Sequence, residues 1–308
     1  MGTDTTATPH VDAYPTRDKA SALTESPRQD PVVWPGGPPG PLTPVELDRY
    51  GQRGFHTAEQ LLAADEVSAY LDELHRLRTE PSLRDDERAV REPDSDEIRS
   101  IFAVHEISPA LARLAGDARL VARARQILGS EVYIHQSRVN YKPGYGGNGF
   151  YWHSDFETWH SEDGMPRMRA LSVSIALTEN LPTNGPLMIM PGSHRFFVAC
   201  PGSTPPDHHR QSLRRQEIGT PGPAAVRRLA DRHGIAQITG PAGSATFFDA
   251  NCMHGSNSNI TPYERANVFI VYNSVENTLT EPFAAPGRRP EHIASRTFAP
   301  VSSGPSPR

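Results

Sequence analysis

The chain has 308 residues, with 31 Lys and Arg against 36 Asp and Glu and a formal net charge of −5. This mildly acidic balance argues against a protein that binds nucleic acid by neutralising phosphates. Its two cysteines, Cys200 and Cys252, are too few for a disulfide framework. Since no export signal and no apolar run of membrane-spanning length is present, the sequence predicts a soluble cytoplasmic protein.

The first 43 residues are rich in Thr, Ser, Pro and Gly and contain few aliphatic side chains. Such a segment cannot bury enough apolar surface to offset the entropy that it loses on ordering. The composition therefore predicts a disordered N-terminal arm over residues 1–43, one folded domain over 44–298 and a flexible tail over 299–308.

The first part of the folded domain has the pattern of α-helices. One apolar stripe with helical spacing consists of Val67, Tyr70, Leu71, Leu74 and Leu77. A second helix is predicted to begin with Ser108 as its N-cap and Pro109 as its first residue. A third begins after Asp117 and ends at Gly129, which is a natural C-terminal stop.

After Gly129 the pattern changes to short apolar runs separated by Gly, Pro and Asn. The runs with the character of β-strands are 132–139, 171–177, 187–190, 245–248 and 268–272. Helices followed by many short strands favour a mainly β fold, a β-sandwich or jelly roll that is buttressed by N-terminal α-helices. The polar stretch 203–236 is interpreted as an insertion between strands.

The densest group of chemically active side chains lies at residues 150–160. In an extended strand, His153 and Asp155 would point the same way and could bind one metal ion together. A third ligand must come from elsewhere, and His254 in the run NCMHGSN supplies it. Two His and one carboxylate leave three metal positions open, which is the arrangement of non-haem Fe(II) oxygenases.

Arg265 follows His254 at the start of an apolar run that is predicted to be a strand. From there its side chain could reach the cavity of the metal site. A guanidinium group matches the geometry of a carboxylate. It is therefore suited to hold the far end of a dicarboxylic co-substrate whose near end chelates the metal.

Three runs of the sequence resemble a known enzyme family. They are QSRVNYKPG at 136–144, FYWHSDFETWHSEDGMP at 150–166 and the stretch 257–273. All three are similar to the ectoine hydroxylases, which belong to the phytanoyl-CoA dioxygenase superfamily of Fe(II)/2-oxoglutarate dioxygenases. The resemblance covers about residues 45–298, and the long match around the metal site is far more specific than the His-x-Asp pattern alone.

The resemblance implies a double-stranded β-helix, the cupin-like jelly roll, and the hydroxylation of ectoine to 5-hydroxyectoine, a compatible solute of stressed cells. Fe(II), 2-oxoglutarate and O2 would be required, and succinate and CO2 released. Fe(II) would bind to His153, Asp155 and His254, and Arg265 would pair with 2-oxoglutarate. Further co-substrate contacts would be Asn140, Arg138, Phe150, Ser172 and Asn267. Substrate contacts would be Gln136, Trp159, Phe248 and Phe269.

Several alternatives stay open at this point. A related dioxygenase could act on proline or another small amino acid, and a metal-dependent ligand-binding protein could keep the same cavity without turnover. Zinc also accepts two His and one Asp, so a zinc hydrolase is a further option. The side chains of Glu157, His160 and Glu162 could face the metal site or hold the loop. The oligomeric state is open, with a homodimer as one option.

Overall fold

A large and a small β-sheet form the core of the protein. The computed structural model describes residues 12–19, 25–93 and 95–302. In these residues the strands are β1 (Glu25–Pro27), β2 (Phe55–Ala58), β3 (Ala89–Arg91), β4 (Ile98–Phe102), β5 (Val132–Lys142), β6 (Phe150–His153), β7 (Ala170–Ala176), β8 (Leu187–Ile189), β9 (Phe196–Val198), β10 (Ala236–Ile238), β11 (Ala245–Asp249), β12 (His254–Ser256) and β13 (Arg265–Ser274).

The sheets are antiparallel and pack against each other. The large sheet has seven strands in the order β2-β11-β7-β13-β5-β4-β3, and the small sheet has four in the order β10-β8-β12-β6. Leu187 and Ile189 of the small sheet pack on Phe248 and Phe269 of the large one. The predicted jelly-roll core is therefore confirmed, and each run predicted as a strand lies in one of these strands or overlaps it.

The helices that precede β5 pack on the outer side of the large sheet, as the N-terminal helical patterns predict, and shorter or later helices lie elsewhere. The helices are α1 (Pro44–Arg53), α2 (Ala64–Thr79), α3 (Val104–Ile107), α4 (Pro109–Ala115), α5 (Ala118–Leu128), α6 (Asp155–Thr158), α7 (His209–Ser212) and α8 (Pro223–His233). The predicted N-caps Ser108 and Asp117 and the C-terminal stop at Gly129 are confirmed. Within the described residues, each helix is too short or too polar to cross a membrane.

The two faces of the large sheet differ in chemistry because successive side chains of a strand point to opposite sides. On the outer face, Val173, Phe247 and Ile270 join the apolar core that the helices complete. The strand registers place a mostly polar set on the inner face, which faces the small sheet. This set includes Gln136, Arg138, Asn140, Ser172, Phe248, Arg265, Asn267 and Phe269.

The prediction of a disordered arm is wrong for the described part of residues 1–43. Strand β1 pairs with β9, and Tyr14 is fully buried with its hydroxyl donating to Asp30 at 2.9 Å. Average composition misses such anchors, because one aromatic ring and a few buried ion pairs suffice to order a polar segment. Residues 1–11 and 20–24 lie outside the described residues, so the prediction stays untested there.

The chain also remains packed beyond residue 298, where the flexible tail was predicted. The backbone N–H of Val301 donates to the carbonyl of Val132 at 2.8 Å, and the Val301 side chain contacts the helical core. Residues 303–308 of the predicted tail lie outside the described residues.

Replacing Tyr14 tests whether the N-terminal segment belongs to the folded unit. Tyr14→Ala removes a fully buried ring, so we expect the free energy of unfolding to fall by about 3 kcal/mol in a urea titration. Tyr263→Ala is the matched control, because Tyr263 is 63% exposed and its loss should cost less than about 0.5 kcal/mol. Equal effects of the two changes would contradict the packing of this segment.

Candidate metal centre

The pairing of β6 with β12 brings two histidines together. His153 ends β6, His254 begins β12, and the two residues lie directly opposite each other in the antiparallel ladder. Opposed residues of such a ladder project their side chains to the same face. The centroids of the two imidazole rings are accordingly 4.2 Å apart.

Asp155 reaches the same point by a different route from the one predicted. Strand β6 ends at His153, Ser154 is the N-cap, and Asp155 is the first residue of α6. The expectation that His153 and Asp155 share one extended strand is therefore wrong. The Ser154 hydroxyl donates to Oδ1 of Asn251 at 3.0 Å, which ties this turn to the segment that leads to His254.

The three side chains form a possible metal-binding group. Nε2 of His153 lies 3.7 Å from Oδ1 of Asp155, and Nε2 of His254 lies 3.9 Å from Oδ2 of Asp155. Each residue offers one ligand atom, and the three atoms lie within 4.8 Å of one another. Two imidazoles and one carboxylate on one side of an ion are the donor set of a non-haem Fe(II) site.

Backbone carbonyls fix the tautomers of both histidines. Nδ1 of His153 lies 2.7 Å from the carbonyl oxygen of Tyr151, and Nδ1 of His254 lies 3.0 Å from that of Cys252. A carbonyl oxygen only accepts, so each Nδ1 carries a proton, and Nε2 is the nitrogen of each ring that can bind a metal ion. Burial and the neighbouring His254 lower the pKa of His153 to about 4, which leaves this imidazole neutral at pH 7.

The carboxylate of Asp155 is held in its charged form. Burial alone would raise its pKa, but His254 and Arg138 outweigh that effect and lower the pKa of Asp155. The Ser172 hydroxyl donates to Oδ2 of Asp155 at 3.0 Å. An outer partner of this kind orients a ligand carboxylate, so the residues present fit a divalent metal ion.

A cavity of about 480 Å³ opens beside His153 and Asp155. Of the predicted contacts, those that line it are Gln136, Arg138, Asn140, Phe150 and Trp159. Gln136 and Arg138 hydrogen-bond to each other through the amide oxygen of Gln136. The Gln136 amide nitrogen donates to the carbonyl of Ile293 at 2.7 Å, so this polar pair is held in place on the cavity wall.

The remaining predicted contacts lie on the inner face of the large sheet, next to the wall of the cavity. The Phe248 ring lies 5.1 Å from the His254 ring between centroids, and the Arg138 guanidinium lies 4.9 Å from the Phe269 centroid. Asn267 donates to the Ser174 hydroxyl at 3.0 Å, while its amide oxygen has no hydrogen-bond partner among the described residues.

Arg265 is a buried cation without a carboxylate partner in the described part of the chain. Its side chain is 2% exposed, and its Nε makes no hydrogen bond there. Burial, together with the positive charge of Arg99, lowers the pKa of Arg265 to about 10, so the group is still protonated at pH 7. A buried charge is costly unless it is paired, and a carboxylate ligand would supply the missing partner.

Two residues near the site were not identified from the sequence. Arg99 lines the cavity, stacks 3.7 Å from the Phe150 centroid and pairs with Glu92 at 3.2 Å. Asn251 donates to the carbonyl of His194 at 3.0 Å while it accepts from Ser154, and so it braces both halves of the metal site. Nothing in the sequence around either residue indicates these long-range contacts.

Comparison of the sequence with known protein families identifies the family of this chain. The profile of the phytanoyl-CoA dioxygenase (PhyH) family matches residues 50–267, which is most of the chain. The chain belongs to this family.

Within the family, the chain is similar to ectoine dioxygenases over nearly its full length. It is 59% identical over 299 residues to the ectoine dioxygenase of Streptomyces coelicolor, covering 96% of this chain and 99% of that protein. A crystal structure of EctD from S. alaskensis with bound Fe shares 47% identity and a TM-score of 0.84. Another, with 2-oxoglutarate and 5-hydroxyectoine, shares 46% identity and a TM-score of 0.85. Each of these two matches covers 96% of this chain and 99% of the EctD chain. They confirm the resemblance seen in the sequence.

The burial of His194, whose carbonyl accepts a hydrogen bond from Asn251, should make the stability of the protein depend on pH. Burial, only partly opposed by Asp249, lowers the pKa of His194 to about 4, against an ordinary value of about 6.5. The unfolded chain thus takes up a proton between these values that the folded chain does not. We expect the free energy of unfolding to fall by about 2 kcal/mol from pH 7 to pH 5 on account of His194, with no contribution above its ordinary pKa.

Denaturant unfolding of the wild type and His194→Gln at both pH values measures this contribution. Because the variant cannot take up the proton, its stability should fall less between pH 7 and pH 5. An identical fall in the two proteins would show that His194 does not carry this proton linkage.

Proposed function

We propose that this protein is an ectoine hydroxylase, which converts ectoine to 5-hydroxyectoine while 2-oxoglutarate and O2 are consumed and succinate and CO2 are released. The observation that carries the proposal is the His153, Asp155 and His254 group, together with the buried Arg265, which has no anionic partner among the described residues. The near full-length similarity to ectoine dioxygenases selects the substrate.

His153, Asp155 and His254 would hold Fe(II). Oxidation chemistry at the site is supplied by bound Fe(II) together with 2-oxoglutarate and O2. The protein contributes two imidazoles whose Nδ1 atoms are held by backbone carbonyls and one carboxylate that Ser172 orients. Because all three ligands would lie on one side of the ion, the opposite side would stay available to small molecules.

The inner face of the large sheet would bind 2-oxoglutarate. Arg265 would pair with its distal carboxylate, which removes the cost of a buried, unpaired cation. The other proposed contacts are Asn140, Arg138, Phe150, Ser172 and Asn267. The amide oxygen of Asn267 has no hydrogen-bond partner among the described residues, which is consistent with this role, because a buried polar atom normally finds a partner.

Ectoine would bind between aromatic rings and the polar pair on the cavity wall. Its delocalised cationic ring suits the faces of Trp159, Phe248 and Phe269, each worth about 0.5–2 kcal/mol when water is excluded. Gln136 would add a hydrogen bond. Trp159 and Phe269 are only 2% and 4% exposed, so little water contacts these rings.

The proposed compartment is the cytoplasm. Cys200 and Cys252 are buried free thiols, as expected where disulfides do not form. Burial raises the pKa of both thiols, which suits an inert structural role. A homodimer stays a prediction.

Reconstitution of the purified protein tests the proposed function. The protein is loaded with Fe(II) without oxygen, then given 2-oxoglutarate, ectoine and air, and the product is identified by mass spectrometry. We expect succinate formation that depends on ectoine, with a product heavier by one oxygen atom, and we expect neither with His254→Ala.

Parallel reactions separate the alternatives. Turnover of proline without turnover of ectoine would move the activity to the related dioxygenases. Binding of ectoine without succinate would indicate a ligand-binding protein. Activity with Zn²⁺ that needs no 2-oxoglutarate would indicate a hydrolase, and each of these outcomes contradicts the proposal.

The role of Arg265 predicts a selective kinetic defect. Arg265→Met keeps most of the buried volume but removes the cation, so we expect the KM for 2-oxoglutarate to rise about 10–100-fold, as for a lost charge-assisted hydrogen bond. The KM for ectoine should change little, since its proposed contacts lie elsewhere. Steady-state kinetics with each compound varied in turn measures both values, and an unchanged KM for 2-oxoglutarate would refute the pairing.

A further inference from the structure

The segment that carries two of the proposed site residues also carries a buried group of carboxylates. Helix α6 and the π-helical turn that follows it, Trp159–Asp163, include both Asp155 and Trp159. Three further acidic side chains of this segment have at most 2% exposure. They are Glu157, Glu162 and Asp163.

Arg17, from the N-terminal segment, binds the first two of these carboxylates. Its Nε donates to Oε1 of Glu157 at 2.6 Å, and its Nη2 donates to Oε2 of the same residue at 3.0 Å. The same Nη2 donates to Glu162 at 3.2 Å. The Thr16 hydroxyl adds a bond to Glu157 at 2.6 Å, so Glu157 is held by a two-pronged arginine contact and a neighbouring hydroxyl.

The Arg17–Glu157 pair is closed off from water. The two side chains are 1% and 0% exposed. The backbone of Gly219 lies against the pair, since a Cβ there would come within 2.6 Å of Nη2 of Arg17 and 3.0 Å of Oε2 of Glu157. In such surroundings a charge pair is strong and its geometry is narrow, because neither group can turn to solvent instead.

The backbone at Arg17 is held in an unfavourable conformation. Its φ is +58°, in the left-handed region that residues other than glycine rarely adopt. Such a conformation persists only where the surrounding contacts enforce it, and it is found preferentially at functional sites. At Arg17 the surrounding contacts are those of its side chain with Glu157, Glu162 and Thr204 and the bond from its backbone N–H to the carbonyl of Cys200 at 3.0 Å.

A second arginine binds the far end of the same segment. Arg289 donates to Asp163 through Nε at 2.7 Å and Nη2 at 2.5 Å. The segment is therefore anchored at both ends by arginines that lie outside the two sheets, one near each end of the chain.

We propose that Arg17 is a positioning residue of the metal centre, which fixes through Glu157 the turn that carries Asp155 and Trp159. Glu157 is two residues from each of them along the chain, so anchoring its side chain restrains the short stretch of backbone that carries both. The proposal rests on the proposed function for the meaning of Trp159, although the placement of Asp155 concerns the metal alone.

A specific pattern of defects follows. The proposed contacts of 2-oxoglutarate lie mainly on the large sheet, whereas Asp155 and Trp159 lie on the anchored segment. Loss of the Arg17 contact should therefore weaken metal binding and raise the KM for ectoine, and leave the KM for 2-oxoglutarate nearly unchanged. A merely structural role would lower the melting temperature without this selectivity.

The experiment compares Arg17→Met, Glu157→Gln and the double variant with the wild type. The Fe(II) dissociation constant is measured without oxygen by competition with a chelator, the two KM values by steady-state kinetics, and stability by thermal unfolding. We expect the Fe(II) dissociation constant to rise about tenfold or more, as for other outer partners of metal ligands. The double variant should be no worse than the poorer single variant, because both changes break one contact.

Arg119→Met is the matched control. Arg119 also binds two carboxylates, Asp117 and Glu66, each at 2.6 Å, but it lies at the helices behind the large sheet. The Arg119→Met variant should lose thermal stability and keep the wild-type affinity for Fe(II). A folded Arg17→Met with wild-type Fe(II) affinity would overturn the proposal, as would an equal loss of affinity in the control.

If Arg17→Met does not fold, Arg17→Lys and Glu157→Gln decide by the same measurement. The lysine keeps the charge but cannot make the two-pronged contact, so its Fe(II) affinity should lie between those of the wild type and Glu157→Gln. Wild-type affinity in both variants would overturn the proposal. A wild-type protein that fails to hydroxylate ectoine would contradict the proposed function, while the comparison of Fe(II) affinities would still stand.

Discussion

The antiparallel pairing of β6 with β12 is the contact on which the site depends. It places His153 opposite His254, although the two residues are far apart in sequence, and the N-cap at Ser154 then turns Asp155 toward both. Two carbonyl oxygens of the same segments fix the imidazole tautomers. A shift of this ladder by one residue would turn one imidazole to the opposite face. The metal-binding group therefore depends on the register of β6 and β12.

Two buried arginines differ in whether the protein itself supplies their charged partners. Arg17 has its carboxylate partners within the protein, whereas Arg265 has none among the described residues and leaves Nε without a hydrogen bond. Burying a charge without a partner is costly. The protein itself supplies that partner for Arg17, whereas for Arg265 we propose that an anionic ligand supplies it.

The N-terminal segment packs against the part of the chain that carries Asp155 and Trp159 and so belongs to the same folded unit. Tyr14 and Arg17 lie within a stretch whose composition is typical of disorder, yet both are buried against the segment that carries Asp155 and Trp159. Disorder is a property of the average over a segment, while a few anchors decide whether it is ordered. The proposed domain of residues 44–298 is therefore completed by contacts from residues outside it.

The sequence by itself determined the helix caps at Ser108 and Asp117, the main strands and the types of side chain that bind the metal, because local periodicity and donor chemistry are written in neighbouring residues. It also identified the family through long runs of similar sequence. Only the tertiary structure decided that Asp155 begins a helix and that Arg17 pairs with Glu157. It alone also showed that Asn251 joins both halves of the site. The contacts of Arg17 and Asn251 join residues distant in sequence. They form only when the sheets pack and bury polar groups that must then find partners.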